Sequence, residues 1–116
     1  MNDRLNQWLT AQERMPGVLG CGIRHADRTV FTLSFAPEFG ESALANTWIC
    51  VADTFQVFQL HRLPATRLRW VYQDLLVHCA WRTDGSCLTF LTTRDLAGVN
   101  PDQLESMLCE FQTLNG

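Results

Sequence analysis

The chain has 116 residues, 47% apolar and 18% charged, which suits one ordinary domain with a core of its own and is too apolar for a disordered tail. A net charge of −3 leaves no basic excess to displace counterions from a phosphate backbone, so no nucleic-acid partner is expected. All nine positive charges are arginine. No run reaches the roughly 18 apolar residues of a membrane span. No apolar signal-peptide core follows Met1-Asn2-Asp3-Arg4-Leu5. The five cysteines, at 21, 50, 79, 87 and 109, are odd in number and irregular in spacing. They read as reduced, mostly buried thiols in a cytoplasmic protein without a membrane partner.

In chain order, Asp3 is placed to cap a short helix ending near Arg14, with Leu5, Trp8, Leu9 and Gln12 on one face. Met15-Pro16-Gly17 stops it. Two alternating strands follow, Val18 to His25 and Thr29 to Phe35, joined by the short hairpin link Ala26-Asp27-Arg28. Gly20 and Gly22 share a face of the first strand, which leaves room for a helix to press close.

After a loop from Pro37 to Gly40, Ser42 is placed to cap a long helix from Ala43 to Leu60. Leu44, Val51, Phe55 and Phe58, with Trp48 and Ala52, form its main stripe, while Ile49, Cys50, Val57 and Leu60 lie off it. Asp53 is the only charge between Ala43 and Leu60. An apolar face about 100° wide suffices to cover one side of a sheet, so a helix this apolar is expected to meet a second surface.

Three strands fit next: Thr66 to Tyr72, Leu75 to Arg82 and Cys87 to Thr93. The first turn falls near Gln73-Asp74 and the second at Thr83-Asp84-Gly85-Ser86, where Asp-Gly is a strong turn signal. Arg67 and Arg69 face one side of the first of these strands; Leu68, Trp70 and Tyr72 face the other. Arginine on such a strand suits an edge that pairs selectively, and Trp with Arg are the side chains that dominate interfaces. Asn100-Pro101-Asp102-Gln103 starts a last helix, with Leu104, Met107, Leu108, Phe111 and Leu114 as its stripe.

Catalytic and metal-binding patterns are thin. The glycine-rich run Gly17 to Gly22 matches neither a dinucleotide fingerprint nor a P-loop, which needs a lysine. His78, Cys79 and Cys87 fall on adjacent strands, but His78 and Cys79 point to opposite faces and no Cys-x-x-Cys pair is present. His25 beside Asp27 would form a dyad at a wet hairpin tip, poor ground for a tuned pKa. His61 reads as a helix-end residue. No catalytic residue, cofactor or metal is assigned, and the protein is expected not to be an enzyme.

The element order and two signatures resemble the roadblock family, the domain of dynein roadblock-type light chains and bacterial small-GTPase regulators. Met15-Pro16-Gly17-Val18-Leu19-Gly20 is similar to the family's Leu-Pro-Gly-Val-x-Gly entry into the first strand. The second signature is the C-terminal hairpin with its Thr83-Asp84-Gly85-Ser86 turn, the strand through Leu88 and Phe90, and the closing helix. The likeness spans nearly the whole chain, read as one domain over residues 1–116. The long helix departs from the family's alanine-rich pattern in carrying Trp48, Phe55 and Phe58.

The resemblance implies an α+β fold in the order α-β-β-α-β-β-β-α, with a five-stranded antiparallel sheet, the long helix on one face and the terminal helices on the other. It also implies homodimers in which the strand after the long helix pairs with its copy and the long helices pack together, serving as non-catalytic scaffolds or regulators of small Ras-like GTPases or of signalling and motility partners. The residues assigned to such a dimer or partner interface are Trp48, Ile49, Phe55 and Val57 on the helix, and Arg67, Leu68, Arg69 and Trp70 on the strand. No arginine matches an arginine-finger motif. Two other readings are a secretion-chaperone-like protein that wraps an extended polypeptide, and a small-ligand sensor with a pocket lined by Phe31, Leu33, Phe35 and Phe90.

Overall fold

A computed structural model describes residues 2–63 and 65–114. Eight elements follow one another: α1 (Asn2–Thr10), β1 (Val18–Arg24), β2 (Val30–Ser34), α2 (Glu41–Leu60), β3 (Arg67–Val71), β4 (Leu75–Trp81), β5 (Cys87–Thr93) and α3 (Pro101–Thr113). The strands form one antiparallel sheet in the order β2-β1-β5-β4-β3, so β2 and β3 are its edges. This is the expected α+β architecture. One core, under α1 and α3, joins Leu5, Leu9, Leu104, Met107 and Phe111 to Cys21, Ile23, Leu88 and Phe90. The other, under α2, joins Leu44, Trp48, Val51, Ala52 and Phe55 to Val77, Cys79, Cys87 and Leu91.

Period-two alternation sorts the strand side chains between the two cores. The floor under α2 includes Gly20 and Gly22 of β1, where the helix comes closest. A Cβ on Gly22 would overlap the Trp48 indole and come within 2.6 Å of the Phe31 carbonyl oxygen; one on Gly20 would lie 2.9 Å from Leu44 Cδ1. The expected close approach over these glycines is therefore made by α2. Phe55 stacks on Trp81 further along, with ring centroids 5.5 Å apart.

Boundaries differ from the expectations at two helices. α1 ends at Thr10, not near Arg14, and Asp3 lies inside it. The chain turns away early because Met15 is drawn into the core, where its Sδ accepts from the Asn100 backbone N–H at 3.4 Å. α2 begins at Glu41 with Gly40 as its N-cap, so Ser42 sits in the first turn and no side chain caps the helix. The last helix starts as its sequence indicates. Asn100 Oδ1 accepts from the backbone N–H groups of Asp102 and Gln103 at 3.0 and 3.2 Å, with Pro101 at the first position. The Asp84-Gly85 turn also forms: Gly85 has φ 95° and Asp84 Oδ1 accepts the Ser86 N–H at 2.8 Å.

Polar contacts tie the terminal helices down. Arg82 donates from Nη1 to the Phe111 carbonyl oxygen at 2.6 Å, placing a cation at the C-terminal end of α3. His25 is buried, with Nε2 2.7 Å from Asn6 Oδ1 on α1. His25 is paired with α1 and makes no hydrogen bond to Asp27. Asp27 accepts from Asn2 and Thr29 instead, because α1 lies over the hairpin and covers the imidazole. With an amide oxygen as partner, Nε2 carries the proton, and Nδ1 is left buried without a partner.

Two predictions follow from this packing. Gly22→Ala is expected to destabilise the fold by about 1–3 kcal/mol through overpacking against Trp48, read as a lower urea midpoint at unchanged slope; a variant as stable as the parent would contradict the seating of α2 on β1. The second concerns acid. Burial holds His25 and His78 below the ordinary histidine pKa of 6.5. The unfolded chain therefore takes up these protons first. Stability should be level from pH 8 to 7, fall as the pH drops below about 6.5, and keep falling until the folded-state pKa values are passed. His25→Gln should flatten part of that fall; an unchanged pH profile in the variant would remove His25 from the account.

Candidate functional site

Two features of the surface stand out: the unpaired edge of β3 and the outer face of α2. β3 pairs only with β4, from Arg67 opposite Ala80 to Val71 opposite Leu76. Backbone bonds extend this ladder at both ends, Trp81 N–H to the Thr66 oxygen at 3.0 Å and Tyr72 N–H to the Leu75 oxygen at 2.9 Å.

The eight residues assigned to an interface divide sharply. Trp48 and Phe55 are wholly buried, both at 0% exposure. They are corrections to the expectation, since they lie on the sheet-facing side of α2, over Gly22 and Trp81, and reach no partner from there. Ile49 and Val57 lie on the outer face, 40% and 52% exposed. On β3, Leu68 and Trp70 turn to the α2 side and are half-buried. Arg67 turns the other way and is held by α3. Its Nε donates to Gln112 Oε1 at 2.8 Å, and its Nη1 to the two Glu105 carboxylate oxygens at 2.8 and 2.9 Å. Arg67 is thus occupied within its own chain, while Arg69 is exposed.

The exposed apolar surface is larger than those assignments. Leu60 and Leu63 are exposed by 82% and 58% at the end of α2 and just beyond it; Tyr72 is exposed by 53% beside β3, and Val71 by 56% on the Arg67 and Arg69 face of that strand. The signal for Leu60 was in the sequence, because 49, 53, 57 and 60 recur at helical spacing on one side. Between α2 and β3 runs a groove of about 140 Å³ lined by Thr47, Cys50, Thr54, Trp70 and Tyr72. Thr47, Tyr72 and Val77 also line a wider open cleft of about 430 Å³, together with Phe39, Leu44 and Leu91.

The His78, Cys79 and Cys87 groups do not converge. His78 bonds Thr92 Oγ1 at 2.9 Å, while Cys79 and Cys87 sit in the α2 core on the opposite face of the sheet. Burial pushes the Cys21 and Cys87 thiols up to about 12 and raises that of Cys79 as well, which keeps them protonated and poor as nucleophiles or ligands. Among the described residues no three His, Cys, Asp or Glu side chains converge as a metal site. No helix among them is long and apolar enough to cross a membrane. Phe35 and Phe90, named for the alternative reading as a small-ligand sensor, border a space of only about 20 Å³, room for a single water. Phe31 and Leu33 pack against the core on the same side of the sheet.

No protein-family model matches the sequence, and no curated protein matches it either. Among solved structures, a Roadblock/LC7 domain from Streptomyces avermitilis is similar, with a TM-score of 0.60 and 15% identity over 94% of this chain and 86% of that one. The chain has the Roadblock/LC7 fold.

Proposed function

We propose that the protein is a non-catalytic dimeric scaffold or regulator, self-associating through the β3 edge and the outer face of α2 and presenting the dimer to a small Ras-like GTPase or a similar signalling partner. The observation behind this reading is the outward apolar row Ile49, Val57 and Leu60 on α2, in a domain whose β3 edge has no neighbouring strand among the described residues. Single apolar side chains are ordinary on a surface; a row of them along one helix, together with an open strand edge, is what an interface covers.

The charge on β3 adds a condition. Directly opposed residues of an antiparallel pair share a face. If β3 pairs with its own copy, the Arg67 and Arg69 face of one strand therefore meets the same face of the other. Glu105 neutralises Arg67, and the charge of Arg69 stays. Such a dimer should tighten as salt screens the like charges.

Three outcomes are expected. Sedimentation should give a dimer at tens of micromolar, with an affinity that rises between 50 and 300 mM salt, concentrations chosen to span strong and weak screening (roughly 14 and 6 Å). Leu60→Asp, at a site open in the single chain, should weaken the dimer at least tenfold (about 1.4 kcal/mol) without lowering the melting temperature. A Ras-like GTPase loaded with GDP or a non-hydrolysable GTP analogue should co-elute with the parent dimer and not with the Leu60→Asp chain. A monomer at these concentrations would overturn the reading, and capture of an unfolded client in place of a folded GTPase would favour a chaperone.

A further inference from the structure

On the face of β3 opposite to α2, a separate cleft of about 300 Å³ opens between β3 and α3. Arg67, Arg69, His78 and Glu105 line it. Arg69 and His78 are register partners across the β3–β4 ladder, so their side chains stand next to each other on one face. Arg67 is set in place by α3: its Nε donates to Gln112, and its Nη1 donates to both oxygens of the Glu105 carboxylate. Its Nη2 edge donates to none of the described residues, and the Arg69 side chain makes neither an ion pair nor a hydrogen bond among them. His78 is 7% exposed and engages Thr92 Oγ1 through Nε2, which leaves Nδ1 as the ring atom with no protein partner.

The electrostatics of this cleft are unbalanced. Two guanidinium groups and an imidazole gather around one carboxylate, in a chain whose net charge is −3. Glu105 compensates Arg67 and leaves the charge of Arg69 uncompensated. Arginine forks match the oxygen spacing of carboxylates and phosphates, and a dianion answers an uncompensated cation better than a second monoanion does. The volume sits at the small end of ligand sites, roughly 300–1,000 Å³, so it accommodates a phosphoryl group together with the small group it esterifies.

We propose that this cleft binds a phosphate monoester, its phosphoryl oxygens held by Arg69 and the free Nη2 edge of Arg67, with His78 at the back of the site. The pre-ordered Arg67 side chain lowers the entropy cost of capture, because Glu105 and Gln112 already hold the guanidinium in one orientation. The phosphoryl group has two sources, a small phosphorylated metabolite or a phosphorylated side chain of a partner, and both present the same chemistry to the arginines.

The test is a titration of the 15N-labelled full chain with inorganic phosphate and, separately, with O-phosphoserine, at an ionic strength held constant with sodium chloride. Saturable shifts centred on His78, Arg69 and Glu105 are expected. Arg69→Gln should weaken binding at least tenfold, the scale of one lost charge-assisted contact. Arg28→Gln, at the β1–β2 turn, should leave it unchanged. Tighter binding of O-phosphoserine assigns the site to a phosphorylated side chain; equal or tighter binding of inorganic phosphate assigns it to a small metabolite. Shifts no different from those of chloride, or an Arg69→Gln chain that keeps the parent spectrum and binds phosphate as well as the parent, would overturn the proposal. Sedimentation of the same samples separates this result from any change in oligomeric state.

Discussion

The close approach of α2 to β1 organises the molecule. Gly20 and Gly22 remove two side chains from the middle of the sheet, and Leu44 and Trp48 descend into the space. An indole buried this deeply fixes the rotation of the helix about its own axis. Once Trp48 and Phe55 face down, Ile49, Val57 and Leu60 face out, since 3.6 residues per turn leave no other arrangement. The apolar outer face is therefore coupled to the glycine floor, although the two lie on opposite sides of the helix. Burying large aromatic side chains of this kind contributes about 1.5–3 kcal/mol each, so the rotation is strongly held.

β3 shows the same economy on a smaller scale. Its alternation sends Leu68 and Trp70 toward α2, and Arg67 and Arg69 toward α3. One five-residue edge strand thus borders an apolar groove on one face and a charged cleft on the other. The Arg67–Glu105 pair joins the edge strand to α3. Its partners are 30% and 66% exposed, so solvent screens it, and its main effect is to orient the guanidinium rather than to stabilise the fold. Across the sheet, the terminal helices are secured by better-shielded contacts, among them Arg82 on the Phe111 carbonyl and His25 on Asn6.

Much of this was legible along the chain. Alternation placed all five strands, the Asp84-Gly85 pair marked a hairpin, Asn100-Pro101 marked the start of α3, and the excess apolar surface of α2 was plain from a single charge between Ala43 and Leu60. These are local properties: a turn, a cap and a period each depend on a few neighbouring residues. The paired glycines announced a close contact, and His78 and Cys79 were separable because neighbours on a strand point to opposite faces.

What the sequence determined by itself was which residues are apolar and at what period; what only the tertiary structure decided was which apolar side chains are spent on the core and which remain outside. Trp48 and Phe55 have the chemistry of interface anchors, yet both are buried, because the glycine floor and Trp81 accept them. Leu60 is the most exposed of the large apolar residues, because α2 runs on beyond the body of the sheet-facing stripe that ends at Phe55. Arg67 and Arg69 look alike on the strand and differ only because Glu105 and Gln112, some forty residues later, reach the first and not the second. Such choices depend on contacts between residues far apart in the chain, which neither period nor composition records.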